Sequence, residues 1–207
     1  MAKRKYTDEQ LESLTLHVED AWQDLVSRAN KVQVEAGLGW YSVAHEEAVL
    51  LAAEDECMSV DRAAAIVAVL SPMCRWQGNL DDAWSVVTGG TATHALPENV
   101  RKAKRLAALE PLDDVVGGCK VRAFWQNIAD PVHTGEIVVD TWVARAVGVN
   151  PIEAFGVVGV YEAVADGIRL VARRMRMRGN QCQAIGWVVI RDEHVRGQLN
   201  PNLPDTW

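Results

Sequence analysis

The chain has no apolar run long enough to cross a membrane. Its longest, Ala63 to Met73, is broken by Ser71 and Pro72, whereas a span needs about 20 such residues. No apolar signal core follows the basic start Met1-Ala-Lys-Arg-Lys, so a cytoplasmic protein is expected. The four cysteines, Cys57, Cys74, Cys119 and Cys182, share no CxxC spacing. That disfavours a zinc ribbon or a clustered iron–sulfur site. A disulfide framework does not suit a cytoplasmic chain of 207 residues, so the thiols are expected to be small and partly buried. His45-Glu-Glu lacks a second histidine at metal spacing, and no metal is expected. There is no Walker loop and no G-x-S-x-G, which leaves kinase and hydrolase readings without support. Gly156-Val-Val-Gly159 has no strand–glycine–helix context, so it is no dinucleotide fingerprint and no cofactor is expected. Repeats, linkers and low-complexity tracts are lacking too.

What is present is a globular composition. Hydrophobic residues make up 49% and charged residues 24%, enough apolar surface to offset the entropy of ordering. The length suits one domain, or two lobes around one core. The net charge of -7 is uneven: residues 1–60 carry 12 acidic and 5 basic side chains, and the rest carry 16 of each. Basic residues cluster at Lys3-Arg4-Lys5, at Arg101, Lys102, Lys104 and Arg105, and at Arg169, Arg173, Arg174, Arg176 and Arg178. A locally basic face on an acidic protein and ordinary solvated helix faces both fit these clusters.

The periodicity is helical almost throughout, which predicts an all-α fold of nine or ten helices in a single domain. Thr7-Asp-Glu-Gln10 is a capping box, and apolar residues follow it at helical spacing. Gly37 and Gly39 are expected to end that helix, and a second runs from about Ser42 to Glu54. Ser59 or Asp61 caps an apolar helix over 62–70 that Pro72 stops. Further helices are expected over 79–87, from Pro97 to about Leu109, at 112–116, and over about 119–128. Ile137-Val-Val is expected to be a short extended piece, and Asp140 to start the next helix. Asn150-Pro151-Ile-Glu153 is a second capping signature. An arginine-rich helix is expected over about 160–178, stopped by Gly179-Asn180, with a last helix over 181–192. The tail, with Pro201, Pro204 and Trp207, is expected to be irregular.

The segment Leu112 to Arg145 carries the chemistry. Helix, Gly117-Gly118 and helix form a hairpin whose backbone amides can face a phosphate. Lys120 lies just inside the second helix. Twenty residues on, Val138-Val-Asp140-Thr141 puts a carboxylate at a helix N-cap, where the dipole favours its ionised form. An amine and a capped carboxylate facing one cleft suit attack on an electrophilic carbon and stabilisation of the positive charge beside it. Asp140 also fits a purely capping role, and Lys120 an exposed first-turn position.

These residues resemble the helix-hairpin-helix DNA glycosylases, whose hairpin ends in Gly-x-Gly-x-Lys. A Val-Asp-Thr-His-type motif follows in that family. By the resemblance Lys120 matches the nucleophile, Asp140 the essential aspartate and Arg145 an arginine that follows it. Ile66-Val-Ala-Val-Leu-Ser-Pro is similar to the family's apolar helix and serine-containing loop that approaches the flipped base, and Pro97-Glu-Asn-Val-Arg-Lys-Ala to the segment before the hairpin. A closer likeness is to glycosylase-like proteins of bacteriophages and actinobacteria, related to the proposed pyrophosphorylases and amino-acid:DNA transferases of thymine hypermodification. Gly37-Leu-Gly-Trp-Tyr-Ser-Val-Ala-His45, Leu70-Ser-Pro with Trp76 and Asn79, Lys120 to Ile128, and Gln183-Ala-Ile-Gly-Trp187 carry it. Val116 stands at the first hairpin glycine, Trp142 at the histidine after Asp-Thr, and the cluster-binding cysteines of some members are absent.

The resemblance implies two helical lobes around a central cleft, with one DNA nucleotide flipped into it. Lys120 and Asp140 would be catalytic. Trp76, Asn79, Trp40, Tyr41, His45 and Trp142 would contact the base, although each also suits core packing or capping. Gly117, Gly118, Arg122, Arg145 and Arg173 would contact DNA. Base excision would have Lys120, made neutral by a lowered pKa, attack C1′ and form a Schiff base. A second expectation keeps the fold and acts on the substituent of a modified thymine. A third is a non-catalytic binder of DNA or of a protein.

Overall fold

The computed structural model describes residues 6–195, and every regular element in that range is an α-helix. The chain divides into two compact units. Lys3-Arg4-Lys5 and the proline-containing tail fall outside the described residues.

One unit takes residues 6–40 and 137–195. Its first helix, α1 (Asp8–Ser27), opens on the expected box: the Gln10 amide donates to Thr7 Oγ1 at 3.2 Å, and the Thr7 amide to Gln10 Oε1 at 2.8 Å. The break after α1 falls at Asn30, not at the two glycines. Asn30 and Gln33 form a second reciprocal box, with bonds of 3.0 and 2.9 Å, and start α2 (Lys31–Ala52). The helix then runs through Gly37 and Gly39. Gly37 serves close packing: a Cβ there would lie 2.5 Å from the Ile185 Cα. Gly186 does the same for Trp22, whose ring would be 2.3 Å from an added Cβ. Trp22 is fully buried and its indole donates to the Cys182 carbonyl at 3.4 Å.

The rest of this unit is α8 (Thr141–Ala146), α9 (Pro151–Gly156), α10 (Val160–Arg174) and α11 (Gly179–Val195). Helix α1 packs along α10, and both meet α11. Residues 137–139 form no strand. Their polar backbone is met instead by Tyr161, whose hydroxyl accepts from the Val139 amide at 3.2 Å and donates to the Ile137 carbonyl at 3.0 Å. Helix α10 stops four residues earlier than its composition suggests. The Met177 amide closes back on the Ala172 carbonyl at 3.0 Å, with Arg176 left-handed at φ 55°. Gly179 therefore begins α11 and does not end α10.

The other unit takes residues 41–136. At its centre is α3 (Val60–Leu70), capped by Ser59 and buried from Ala63 through Leu70. Around it lie α4 (Trp76–Val87), α5 (Pro97–Ala107), α6 (Leu112–Val115) and α7 (Cys119–Ala129). Helix α3 packs against α7, α5 and α4, so the Ser71–Arg75 loop at its C-terminal end is held on a rigid base. Arg62 fixes the other end by donating to the Leu106 and Glu110 carbonyls at 2.9 and 2.6 Å.

Candidate functional site

Lys120 is the second residue of α7 and belongs to the unit built on α3. Its ammonium donates to Ser71 Oγ at 2.7 Å, and Ser71 in turn donates to the Ala68 carbonyl at 2.9 Å. Ser71 is buried. The ammonium also lies 5.1 Å from the centre of the Phe124 ring. Phe124, one turn along α7, meets Tyr41 edge-on at 6.3 Å. The amine is therefore placed by a hydroxyl at the end of α3 and an aromatic face on its own helix. A cation is stabilised by both. Ser71 and Phe124 lie within the stretches that carry the resemblance, but nothing in the sequence marks them as partners of Lys120.

Asp140 belongs to the other unit. It is the N-cap of α8: Oδ1 accepts from the Val143 amide at 2.8 Å. Oδ2 accepts from the Trp187 indole at 3.0 Å. Trp187 meets Trp40 edge-on at 5.7 Å, and the Arg191 guanidinium lies 4.8 Å from the Trp187 ring centre. Both carboxylate oxygens are thus held, one by backbone and one by an indole.

The hairpin between α6 and α7 turns at Gly118, whose φ of 78° is left-handed. A Cβ at Gly117 or Gly118 would meet nothing within 4 Å, so this backbone is open to an approaching ligand. Arg122 is part-exposed but already has partners. It braces the turn, donating to Asp113 at 2.7 Å and to the Val116 carbonyl at 3.2 Å. Arg145 is half-buried in the last turn of α8, and Arg173 is exposed.

The remaining candidates divide. Trp76 is half-buried at the first residue of α4. Asn79 is 1% exposed, and its Oδ1 has no hydrogen-bond partner among the described residues. His45 Nδ1 donates to the Ile128 carbonyl at 2.8 Å, which ties α2 to α7. Trp142 is 2% exposed and packs edge-on to His194 at 4.6 Å. Its ring fills core volume that close packing would otherwise leave empty. Neither it nor Asn79 presents surface to a ligand.

Sequence reasoning passed over Met73 and the Asp82–His94 pair. Met73, two residues beyond Ser71, is left-handed at φ 60° and 63% exposed. It edges an open pocket of about 400 Å³ together with Arg75, Gln77, Asp81 and His94. Buried Asp82 accepts from the Thr93, His94 and Ala95 amides and from His94 Nδ1, at 2.6–3.0 Å. Burial alone would raise its pKa, but these four bonds hold it below the usual carboxylate range. The buried Cys74 thiol beside it is pushed up to about 11 by burial and by the charges of Asp82 and Asp81. At neutral pH it is a thiol, not a nucleophilic thiolate.

All four cysteines are free, Cys74 and Cys182 buried and Cys57 and Cys119 exposed. Among the described residues no group of three or more His, Cys, Asp or Glu side chains could hold a metal ion. None of the described helices is long and apolar enough to cross a membrane. No curated protein and no solved structure matches the chain. Residues 1–194 match a family of unknown function, DUF7178, and the chain belongs to that family.

Proposed function

We propose that this protein is a DNA base-processing enzyme of the helix-hairpin-helix glycosylase fold, acting on one nucleotide taken out of the stack. Lys120 is the amine and Asp140 the carboxylate of the reaction. The observation that carries the reading is the 2.7 Å bond from Lys120 to Ser71, residues 49 apart in the chain. The serine loop after α3 and the lysine after the hairpin resemble the glycosylases independently, and here they touch. The same holds for the second group. Asp140 is bonded to Trp187, which packs on Trp40, and both tryptophans lie in stretches that resemble the thymine-hypermodification relatives.

In the reaction, Asp140 stabilises positive charge on the sugar as the base departs. Once its ammonium proton has passed to solvent, Lys120 attacks C1′, so that an Nζ–C1′ bond forms as the N-glycosidic bond breaks and the base leaves with the bonding pair. Opening of the sugar and loss of the amine proton give a Schiff base. Met73 is an exposed apolar side chain of the kind that wedges between base steps. The test is borohydride trapping on DNA carrying modified or damaged bases, with Lys120→Ala giving no adduct.

A second reading is favoured by Trp187, which is bonded to Asp140, and Trp40 packed on it, since both lie in the stretches that carry the closer likeness. In it the enzyme displaces a pyrophosphate substituent on a modified thymine by an amine and leaves the glycosidic bond intact. Mass analysis of the nucleosides separates the two: a changed intact nucleoside supports substitution, and an abasic site supports excision.

A further inference from the structure

We infer that the turn from α10 into α11 is a docking surface for the phosphodiester backbone of nucleic acid, gripped by Arg173, Arg176 and Arg178. The inference rests on the proposed function only for its choice of nucleic acid as partner. The structure divides the arginine cluster into two sets. Arg169 donates to Asp166 at 2.8 Å, and Arg174 pairs at 2.8 Å with Glu19, which is buried. These two charges already have carboxylate partners within the chain. Arg173 and Arg176 are exposed and Arg178 half-buried, and none of the three has a carboxylate partner among the described residues. The Arg178 Nε is shielded from solvent and unpartnered there as well.

Three unpaired guanidinium groups within six residues repel one another, and an external anion relieves that repulsion. Arg176 adds an independent observation. It occupies the left-handed position after the C-cap of α10, where glycine is the usual occupant. A non-glycine residue there is strained, so the arginine is kept at a cost to the fold. The guanidinium fork matches phosphate oxygens in pairs. Three forks around one turn suit successive phosphates of a strand better than one small anion.

The test uses the full chain and a fluorescent oligonucleotide, in single- and double-stranded form, with binding measured by anisotropy across a salt series. The slope of log K against log salt should fall by about one unit in Arg173→Ala and again in Arg176→Gly. Arg176→Gly should at the same time raise the melting temperature, because it relieves the left-handed strain. Arg169→Ala should leave the slope unchanged. Equal slopes for wild type, Arg173→Ala and Arg176→Gly would overturn the inference, as would binding of polyglutamate in place of DNA. A slope that falls while borohydride trapping fails keeps this surface and removes the excision chemistry. Successful trapping with unchanged slopes does the reverse.

Discussion

The Lys120 ammonium is held by the Ser71 hydroxyl at 2.7 Å, and Ser71 is itself anchored to the last turn of α3. A long, flexible side chain is thereby fixed by a residue on the most buried helix of its unit. Ser71→Ala removes the acceptor and leaves the amine to find its own position. Reaction rate should fall about 10- to 100-fold, as expected for a misplaced reacting group. Stability should fall by about 1 kcal/mol. Single-turnover kinetics and denaturant titration check the two effects separately.

Asp140 combines a cap and a charge, and substitution can part them. Asparagine caps a helix about as well as aspartate, whereas alanine costs about 1 kcal/mol. Asp140→Asn should therefore melt close to wild type yet lose at least about 100-fold in rate, since the carboxylate charge is gone. Asp140→Ala should lose both. Equal activity in wild type and Asp140→Asn would leave Asp140 with its capping role alone.

The helical class was readable because apolar spacing and caps repeat along the whole chain. The capping box at Thr7 and the Ser59 cap stand where the sequence puts them. At Gly37 local propensity predicts a break, because it treats glycine as one. Here the α11 backbone approaches too closely for a side chain, and only the fold contains that fact. The end of α10 differs from expectation for the converse reason: an arginine takes the conformation expected of glycine. Lys120 and Asp140 stand out as candidates by motif spacing alone. Their partners Ser71, Phe124 and Trp187 lie tens of residues away or on another helical turn, and no sequence period links them. The brace on Arg122 was equally hidden, because an exposed arginine in a basic segment looks free until its carboxylate is located.

The two glycines of α2 should respond in opposite directions. At Gly37 an added methyl would overlap the Ile185 backbone at 2.5 Å, so Gly37→Ala should destabilise by about 1–3 kcal/mol. At Gly39 nothing lies within 4 Å, so Gly39→Ala should stabilise the helix by up to about 1 kcal/mol. Thermal melts of the pair give the signs directly.

Asp82 sets an acid limit. Its pKa is held low in the folded protein by the bonds of the 93–95 loop and His94. A group of this kind contributes stability above its unfolded pKa, near 3.9, and loses it as pH falls through the lower folded value. Wild-type stability should therefore drop between about pH 5 and pH 2. Asp82→Asn should cost about 1.5–3 kcal/mol at neutral pH and show a shallower acid decline. Urea unfolding at stepped pH measures both.

Under the proposed function, Lys120 is the amine that reacts with DNA sugar. The most direct measurement is borohydride reduction of the full chain mixed with oligonucleotides bearing modified or damaged bases, followed by mass mapping of the cross-linked peptide. The wild type should give an adduct on Lys120, and Lys120→Ala none. An adduct mapped to another residue, or nucleosides left unchanged across the whole base series, would contradict it.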